Sequence, residues 1–360
     1  MTNVRGHILP FFIPHLGCPQ QCVFCDQRTI SGAARQPERE EILRAMAENS
    51  ERCCELAFYG GSFTAMPMEQ QIYYLEAARI GLERGWISGV RISTRPDYID
   101  SRTLDRLREY GVQTVELGVQ SMNDAALAKS KRGHKAADSL RAVQLLKEQG
   151  FTAGVQLMPG LPEDNRESII SGAAEILALR PNLLRIYPTV VVAGTELSEM
   201  YRQGEYQPLS LEQAVEIAGV ITLLAERHGA AIIRTGLNTD EHLAEQVLAG
   251  PYHPAFGNLV KSYIKGQQVL RALGQFIAAW NDCEKITVYA ARNKLPLVFG
   301  QNAANRKFYE SAAFGRNLKI KSFNEDVCGG DEDIIVTDAA KRRLLCRYED
   351  FREWFIEKNL

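Results

Sequence analysis

His15-Leu16-Gly17-Cys18-Pro19-Gln20-Gln21-Cys22-Val23-Phe24-Cys25-Asp26-Gln27 is the stretch on which the reading of this chain turns. Its three cysteines, at C-x3-C-x2-C spacing, follow directly on the apolar run Ile8-Leu9-Pro10-Phe11-Phe12-Ile13. Thiolates are soft ligands, suited to iron–sulfur clusters or to zinc. Three of them this close cannot converge from a helix or a strand; they belong to a loop that wraps one object. A closed structural zinc site needs four protein ligands, and so does a cluster with a thiolate on every iron. Three local thiolates therefore suit a four-iron cluster with one iron left open for a small molecule. The competing reading is a zinc-binding adaptor whose site is completed by a distant ligand such as His15.

Outward from the loop, the chain alternates short apolar runs with amphipathic stretches. Strands are expected at Ile8–Ile13, Glu55–Tyr59, Gly89–Thr94, Gln113–Leu117, Thr152–Leu157 and Leu183–Tyr187. Helices are expected at Pro37–Asn49, Met68–Arg84, Ser101–Tyr110, Lys135–Gln149, Asn165–Leu179 and Leu211–His228, with Ser101 as an N-cap. Six strand–helix units in sequence predict an α/β fold with a parallel sheet. Right-handed crossovers curl such a sheet into a partial (βα)6 TIM-type barrel. The unusual residues all follow strands: the cysteines, Gly60-Gly61-Ser62, Thr94-Arg95-Pro96-Asp97, Gly118-Val119-Gln120-Ser121 and Met158-Pro159-Gly160-Leu161-Pro162. In a β/α barrel the chemistry sits at those ends.

The cysteine loop resembles the cluster motif of the radical S-adenosylmethionine (SAM) superfamily, with Phe24 as the aromatic usual before the last cysteine. The resemblance implies that Cys18, Cys22 and Cys25 hold a [4Fe–4S] cluster and that its open iron takes the amino and carboxylate groups of SAM. One electron, from a donor such as flavodoxin or ferredoxin, then cleaves the sulfonium to a 5′-deoxyadenosyl radical that abstracts hydrogen from a substrate. Gly60, Gly61 and Ser62 resemble the superfamily's glycine motif, and Gln120 stands where a residue bonding the cofactor, at its ribose, is expected. A longer resemblance, over roughly residues 7 to 240, is to the radical SAM domain of the Elongator catalytic subunit family. It rests on Arg91–Tyr98, Val115–Ser121, Lys131-Arg132-Gly133-His134, Met158–Pro162 and Arg185–Thr189 with Gly194-Thr195. That family acts on the wobble uridine of transfer RNA, which makes transfer RNA a candidate substrate; a small molecule or peptide is the alternative. Ser93 stands where the family usually carries Glu.

Past about residue 240 the alternation stops, and residues 241–360 are expected to form a small α+β accessory domain beside a barrel of residues 1–240. A helix is expected within Leu259–Trp280, strands at Ile286–Tyr289, Leu318–Lys321 and Ile334–Thr337, and a terminal helix around Asp350–Phe355. This part is short for the acetyltransferase domain of the Elongator family and shows no clear acetyl-CoA loop. Arg95, Lys131, Arg132 and His134 are candidates to face substrate or the cofactor carboxylate, and Tyr252 and His253 to line the pocket. Cys53 and Cys54 precede an apolar strand and read as buried thiols. Cys283, Cys328 and Cys346 are too widely spaced to favour a second cluster.

The bulk numbers set outer limits. With 45% hydrophobic and 24% charged residues in 360, the chain can bury a sizeable core. A net charge of −2 gives no nucleic-acid signal by itself. No signal peptide and no apolar run of spanning length is visible, and eight cysteines in a chain this size are no secreted disulfide scaffold. The expected compartment is the cytoplasm, where thiols stay reduced.

Overall fold

The computed structural model describes residues 7–13, 18, 21–26, 35–52, 54–237 and 241–360. His15 and Cys53 lie outside the described residues.

The chain divides into two compact units: residues 1–214 with 228–254, and residues 215–227 with 255–360. In the first, the strands are β1 (Ile8–Phe12), β2 (Cys54–Tyr59), β3 (Ile87–Thr94), β4 (Val112–Gln120), β5 (Thr152–Leu157), β6 (Leu183–Ile186), β7 (Val191–Val192), β8 (Ala231–Thr235) and β9 (Val247–Ala249). β1-β2-β3-β4-β5-β6-β8 form one seven-stranded sheet, parallel throughout, and β7 pairs with β9. This is the expected partial barrel with one strand more than expected. β8 was not foreseen: its apolar run, Ala230–Ile233, is short and gives way to Arg234 and Thr235, and its positions are half-buried or exposed. β2, β4 and β5 are instead buried along most of their length, as strands covered on both faces are. Pro10, which lacks an N–H, is accommodated because β1 is an edge strand.

Helices Arg39–Glu48, Met68–Glu83, Ser101–Glu109, Ala136–Glu148 and Arg166–Ala178 follow β1 to β5, and Leu211–His228 lies between β7 and β8. A short helix, Asp124–Lys129, was not foreseen. The N-cap of Ser101–Glu109 is Asp100, not Ser101: its carboxylate accepts from the Thr103 N–H at 2.7 Å. A carboxylate reaches the first-turn donors as well as a hydroxyl does, and it also complements the positive helix end.

The second unit is a four-stranded sheet with helices. β10 (Lys285–Ala290) lies between parallel β11 (Asn317–Ser322) and antiparallel β12 (Ile334–Asp338), which pairs with β13 (Arg343–Cys346). Its long helix, Phe256–Ala279, buries Val260, Ile264, Val269 and Phe276 along one stripe. β13 begins within Lys341-Arg342-Arg343, which reads as a plain solvated face; Arg342 pairs with Asp338 at 2.5 Å and Asp282 at 2.7 Å. Among the described residues no helix is long and apolar enough to cross a membrane.

Candidate active site

The parallel strands place the loops that follow them at one rim, around a cavity of about 660 Å³. That volume is within the range of small-molecule and cofactor pockets. Cys18, Cys22 and Cys25 line it together with Gly60 and Gly61 after β2, Thr94 and Arg95 after β3, Gly118 and Gln120 in β4, and Met158 after β5.

Within the cysteine loop the Cys25 N–H donates to the Cys22 carbonyl at 3.0 Å. Val23 ties it to distant segments. The Val23 N–H donates to the Ser130 carbonyl at 3.3 Å, and the Val23 carbonyl accepts from Leu197 N–H at 2.7 Å. Val23 and Phe24 also enter an apolar cluster with Leu161, Val191, Leu197 and Met200. The thiol of Cys25 is pushed up to about 12, by burial first and then by the neighbouring Cys22 and Cys18, against the charge of Arg132. Thiols that repel one another as anions call for a cationic ligand to hold them deprotonated. Among the described residues no three His, Cys, Asp or Glu side chains gather as one metal ion would require.

Gly60 has φ +78° and Gly61 φ +60°, and a Cβ at Gly60 would stand 3.3 Å from the backbone of Ile13. The glycines therefore let the end of β2 pass close to β1 and leave backbone, not side chain, facing the cavity. Ser62 is placed behind that wall: it is fully buried, and its hydroxyl shares a bond of 3.0 Å with Thr94 Oγ1. Gln120 follows a register shift between β4 and β5 and sits at φ +70°, a conformation costly for a residue with a side chain. The shift turns it into the cavity, where Oε1 accepts from Gln156 at 3.2 Å.

The remaining candidates separate. Arg95 lines the cavity but is paired with Asp97 at 2.7 Å. Lys131 pairs with Glu196 at 2.6 Å on the exposed side of the loop, in a separate shallow pocket. His134 is buried; its Nε2 lies 3.1 Å from the Val119 carbonyl. Burial and the charge of Arg132 push its pKa down to about 4, so the ring is neutral. Tyr252 packs against Val190, Val192 and Leu243, and His253 follows in the turn. Arg132 lines the cavity and donates to Cys22 Sγ at 3.3 Å.

One group escaped the sequence reading. On the cavity wall, Glu116 accepts from Arg91 at 2.8 Å, from Tyr59 Oη at 2.9 Å, and from Arg185 through both Nε and Nη2. Arg91 also pairs with Glu55 at 2.5 Å, and Arg185 donates to the hydroxyls of Tyr187 and Tyr59. The charges within β2, β3, β4 and β6 could have pointed to it, since a charge inside a parallel strand needs an opposite charge at the same level. Burial alone would raise the Glu116 carboxyl; the bonds and charges of Arg185 and Arg91 hold it below its ordinary value. Two cations and two carboxylates leave this wall near neutral.

Three soft thiolates on a cavity of cofactor size, with glycine backbone at its rim and a cation at one thiolate, fit a cluster and a small polar cofactor. In the second unit Cys283 and Cys346 are buried and Cys328 is exposed, and among the described residues they form no group that could hold a metal ion.

The comparisons agree with the cofactor fit. The Radical SAM superfamily model matches residues 12–172, and the Radical_SAM C-terminal domain model matches residues 181–266. The chain is 30% identical over 231 residues to tRNA uridine(34) acetyltransferase of Methanocaldococcus jannaschii, covering 59% of this chain and 42% of that protein. It is 30% identical over 206 residues to mouse Elongator complex protein 3, covering 52% and 38%. The chain thus spans less than half the length of these curated relatives. The solved structure of archaeal Methanocaldococcus infernus Elp3 shares its fold, with a TM-score of 0.55 at 24% identity over 72% of this chain and 62% of that one. This chain belongs to the radical SAM superfamily, whose enzymes work with a [4Fe–4S] cluster and S-adenosylmethionine.

Proposed function

We propose that this chain is a radical SAM enzyme that takes a hydrogen atom from a nucleoside of transfer RNA, in the cytoplasm, with flavodoxin or ferredoxin as electron donor. The observation that carries the chemistry is the meeting of Cys18, Cys22 and Cys25 with Gly60, Gly61 and Gln120 on one cavity. The substrate class is supported by similarity to the transfer-RNA acetyltransferase and to Elongator complex protein 3. Only the nucleoside target carries over; residues 241–360 offer no acetyl-CoA loop recognisable in sequence, and we assign them an accessory role beside a catalytic part of residues 1–240.

The three cysteines would hold the cluster. The bound pair supplies a carbon-centred radical. Backbone of Gly60 and Gly61 would receive the ammonium of SAM, and Gln120 would bond its ribose. Val23, Phe24, Leu161 and Leu197 keep water from the loop side. The Glu116 group holds its protons firmly: Tyr59 is pushed up by burial and by Glu116, so its phenol stays neutral.

Anaerobic reconstitution followed by turnover with a transfer-RNA pool tests the proposal. About four irons per chain, release of 5′-deoxyadenosine and an altered nucleoside in the digested RNA are expected. A Cys22→Ala protein that still carries a full cluster and cleaves SAM would sink the site assignment. SAM cleavage without RNA binding that weakens steeply with salt would redirect the substrate to a small molecule or peptide.

A further inference from the structure

Arg132 is 7% exposed and belongs to Ser130–His134, where Lys131 (φ +54°) and Gly133 (φ +75°) turn the chain back toward the cysteine loop. One arm of its guanidinium is fixed: Nη2 donates to the Gly118 carbonyl at 2.7 Å. The other reaches the middle cysteine, with Nη1 3.3 Å from Cys22 Sγ. Between them Nε is buried without a partner. Gly118 keeps this space open: a Cβ there would lie 2.8 Å from Gln120 Nε2 and 3.2 Å from Arg132 Nη2. The backbone bond from Val23 to Ser130 holds the two segments in register beside the contact. A buried cation has thus been aimed at a thiolate, with a donor still unspent.

We propose that Arg132 is a positioning residue that raises the reduction potential of the cluster by donating to the Cys22 thiolate. The inference rests on the assignment of Cys22 as a cluster ligand. One electron from an external low-potential donor makes the cluster and its thiolates more negative; no proton moves, because the guanidinium stays charged. A cation and an N–H donor at the thiolate stabilise the reduced state more than the oxidised one. Hydrogen bonds to cluster sulfurs are among the levers that set such potentials. The same contact holds Cys22 in place while the cluster assembles.

The test is an EPR-monitored redox titration of the anaerobically reconstituted full chain, with iron counted and SAM affinity measured beside it. In Arg132→Met the one-electron equilibrium is expected to shift about tenfold toward the oxidised state, ~59 mV for n = 1. Arg132→Lys keeps a cation but loses the fixed two-armed geometry, and its midpoint should fall between. Gly118→Ala crowds Gln120 Nε2 as well as Nη2 and leaves Arg132 present; its midpoint, read before SAM is added, should shift the same way by less. A fully loaded Arg132→Met with the wild-type midpoint overturns the inference, and so does one that loses SAM affinity at an unmoved midpoint. Should Arg132→Met take up no iron, unmoved midpoints in both other variants overturn it. Wild-type protein that loads no cluster refutes the ligand assignment itself; a loaded wild type with unmoved variants refutes only the role of Arg132.

Discussion

Replacing Glu116 by Gln keeps the shape of the side chain and removes its charge. Arg91 would retain Glu55, at 2.5 and 3.1 Å. Arg185 would be left with two phenol hydroxyls, at 3.0 and 2.8 Å, and no counter-charge. Breaking a buried pair by deleting one partner costs about 3–5 kcal/mol, because the surviving charge stays buried. The lower end applies here, since the Arg185 side chain keeps 14% exposure and two hydroxyl partners. The expected loss is about 3 kcal/mol, more than a hundredfold in the opening equilibrium. Native-state hydrogen exchange of the β4 peptides measures it, because it reads the first unit without requiring the whole chain to unfold as one. The pH dependence adds a second condition. The folded carboxyl of Glu116 lies below its ordinary value of about 4.3. Its contribution is therefore fully present above that value and is lost as pH falls through the lower, folded pKa. The gap between wild type and Glu116→Gln should be flat from pH 7 down to about 5 and close at more acid pH. Adding Arg185→Met should recover part of the loss, as removing the second member of a pair does. A Glu116→Gln protein within about 0.5 kcal/mol of wild type, or a gap indifferent to acid, would refute the reasoning.

Asp100→Ala removes the cap of helix Ser101–Glu109 and should cost about 1 kcal/mol in urea unfolding; the carboxyl is held low by the Thr103 N–H, so the difference should vanish below its pKa. Gln120→Gly relieves a left-handed side chain and loosens the chain, two effects of similar size. Stability should stay within about 1 kcal/mol of wild type while SAM affinity falls at least about tenfold, and equal affinity would remove Gln120 from the cofactor site. His134, pushed down to about 4, leaves only the unfolded chain to take up its proton between about pH 6.5 and pH 4. Stability should therefore decline through that window, and His134→Gln should flatten the slope.

The parallel sheet was legible because each strand carries its own short apolar run and each loop its own glycine or proline. Helix limits came within a residue or two for the same reason, and strand Thr152–Leu157 and helix Leu211–His228 fall where the apolar pattern places them. What stayed hidden depended on long-range company. Glu116, Arg91, Arg185 and Tyr59 are ordinary letters in four strands, and only the stacking of the strands makes them one group. β8 carries only the short apolar run Ala230–Ile233, and pairing with β6 sets its register. Arg132 stood among three polar candidates of one stretch, with Lys131 and His134. The two left-handed residues around it separate Lys131, facing solvent and Glu196, from Arg132, facing the thiolate, and a one-dimensional pattern does not show left-handed turns.

The cysteine loop has a further consequence for assembly. Its Val23 is tied to two segments far away in the sequence. Leu197 lies in the first turn of helix Glu196–Arg202, where an N–H has no partner within the helix. Val23 supplies that partner, so the loop completes the helix as much as the helix holds the loop. The same residue accepts nothing from its own neighbours and spends its N–H on Ser130, more than a hundred residues away in sequence. Binding a cluster to the thiolates must then stiffen two segments that contain no ligand. Hydrogen exchange before and after anaerobic loading should show peptides across 127–133 and 195–200 gaining protection together with 21–26, in proportion to iron content. Protection confined to 21–26 would mean that the loop orders around its metal alone, and that the contacts from Val23 follow the fold without transmitting anything to it.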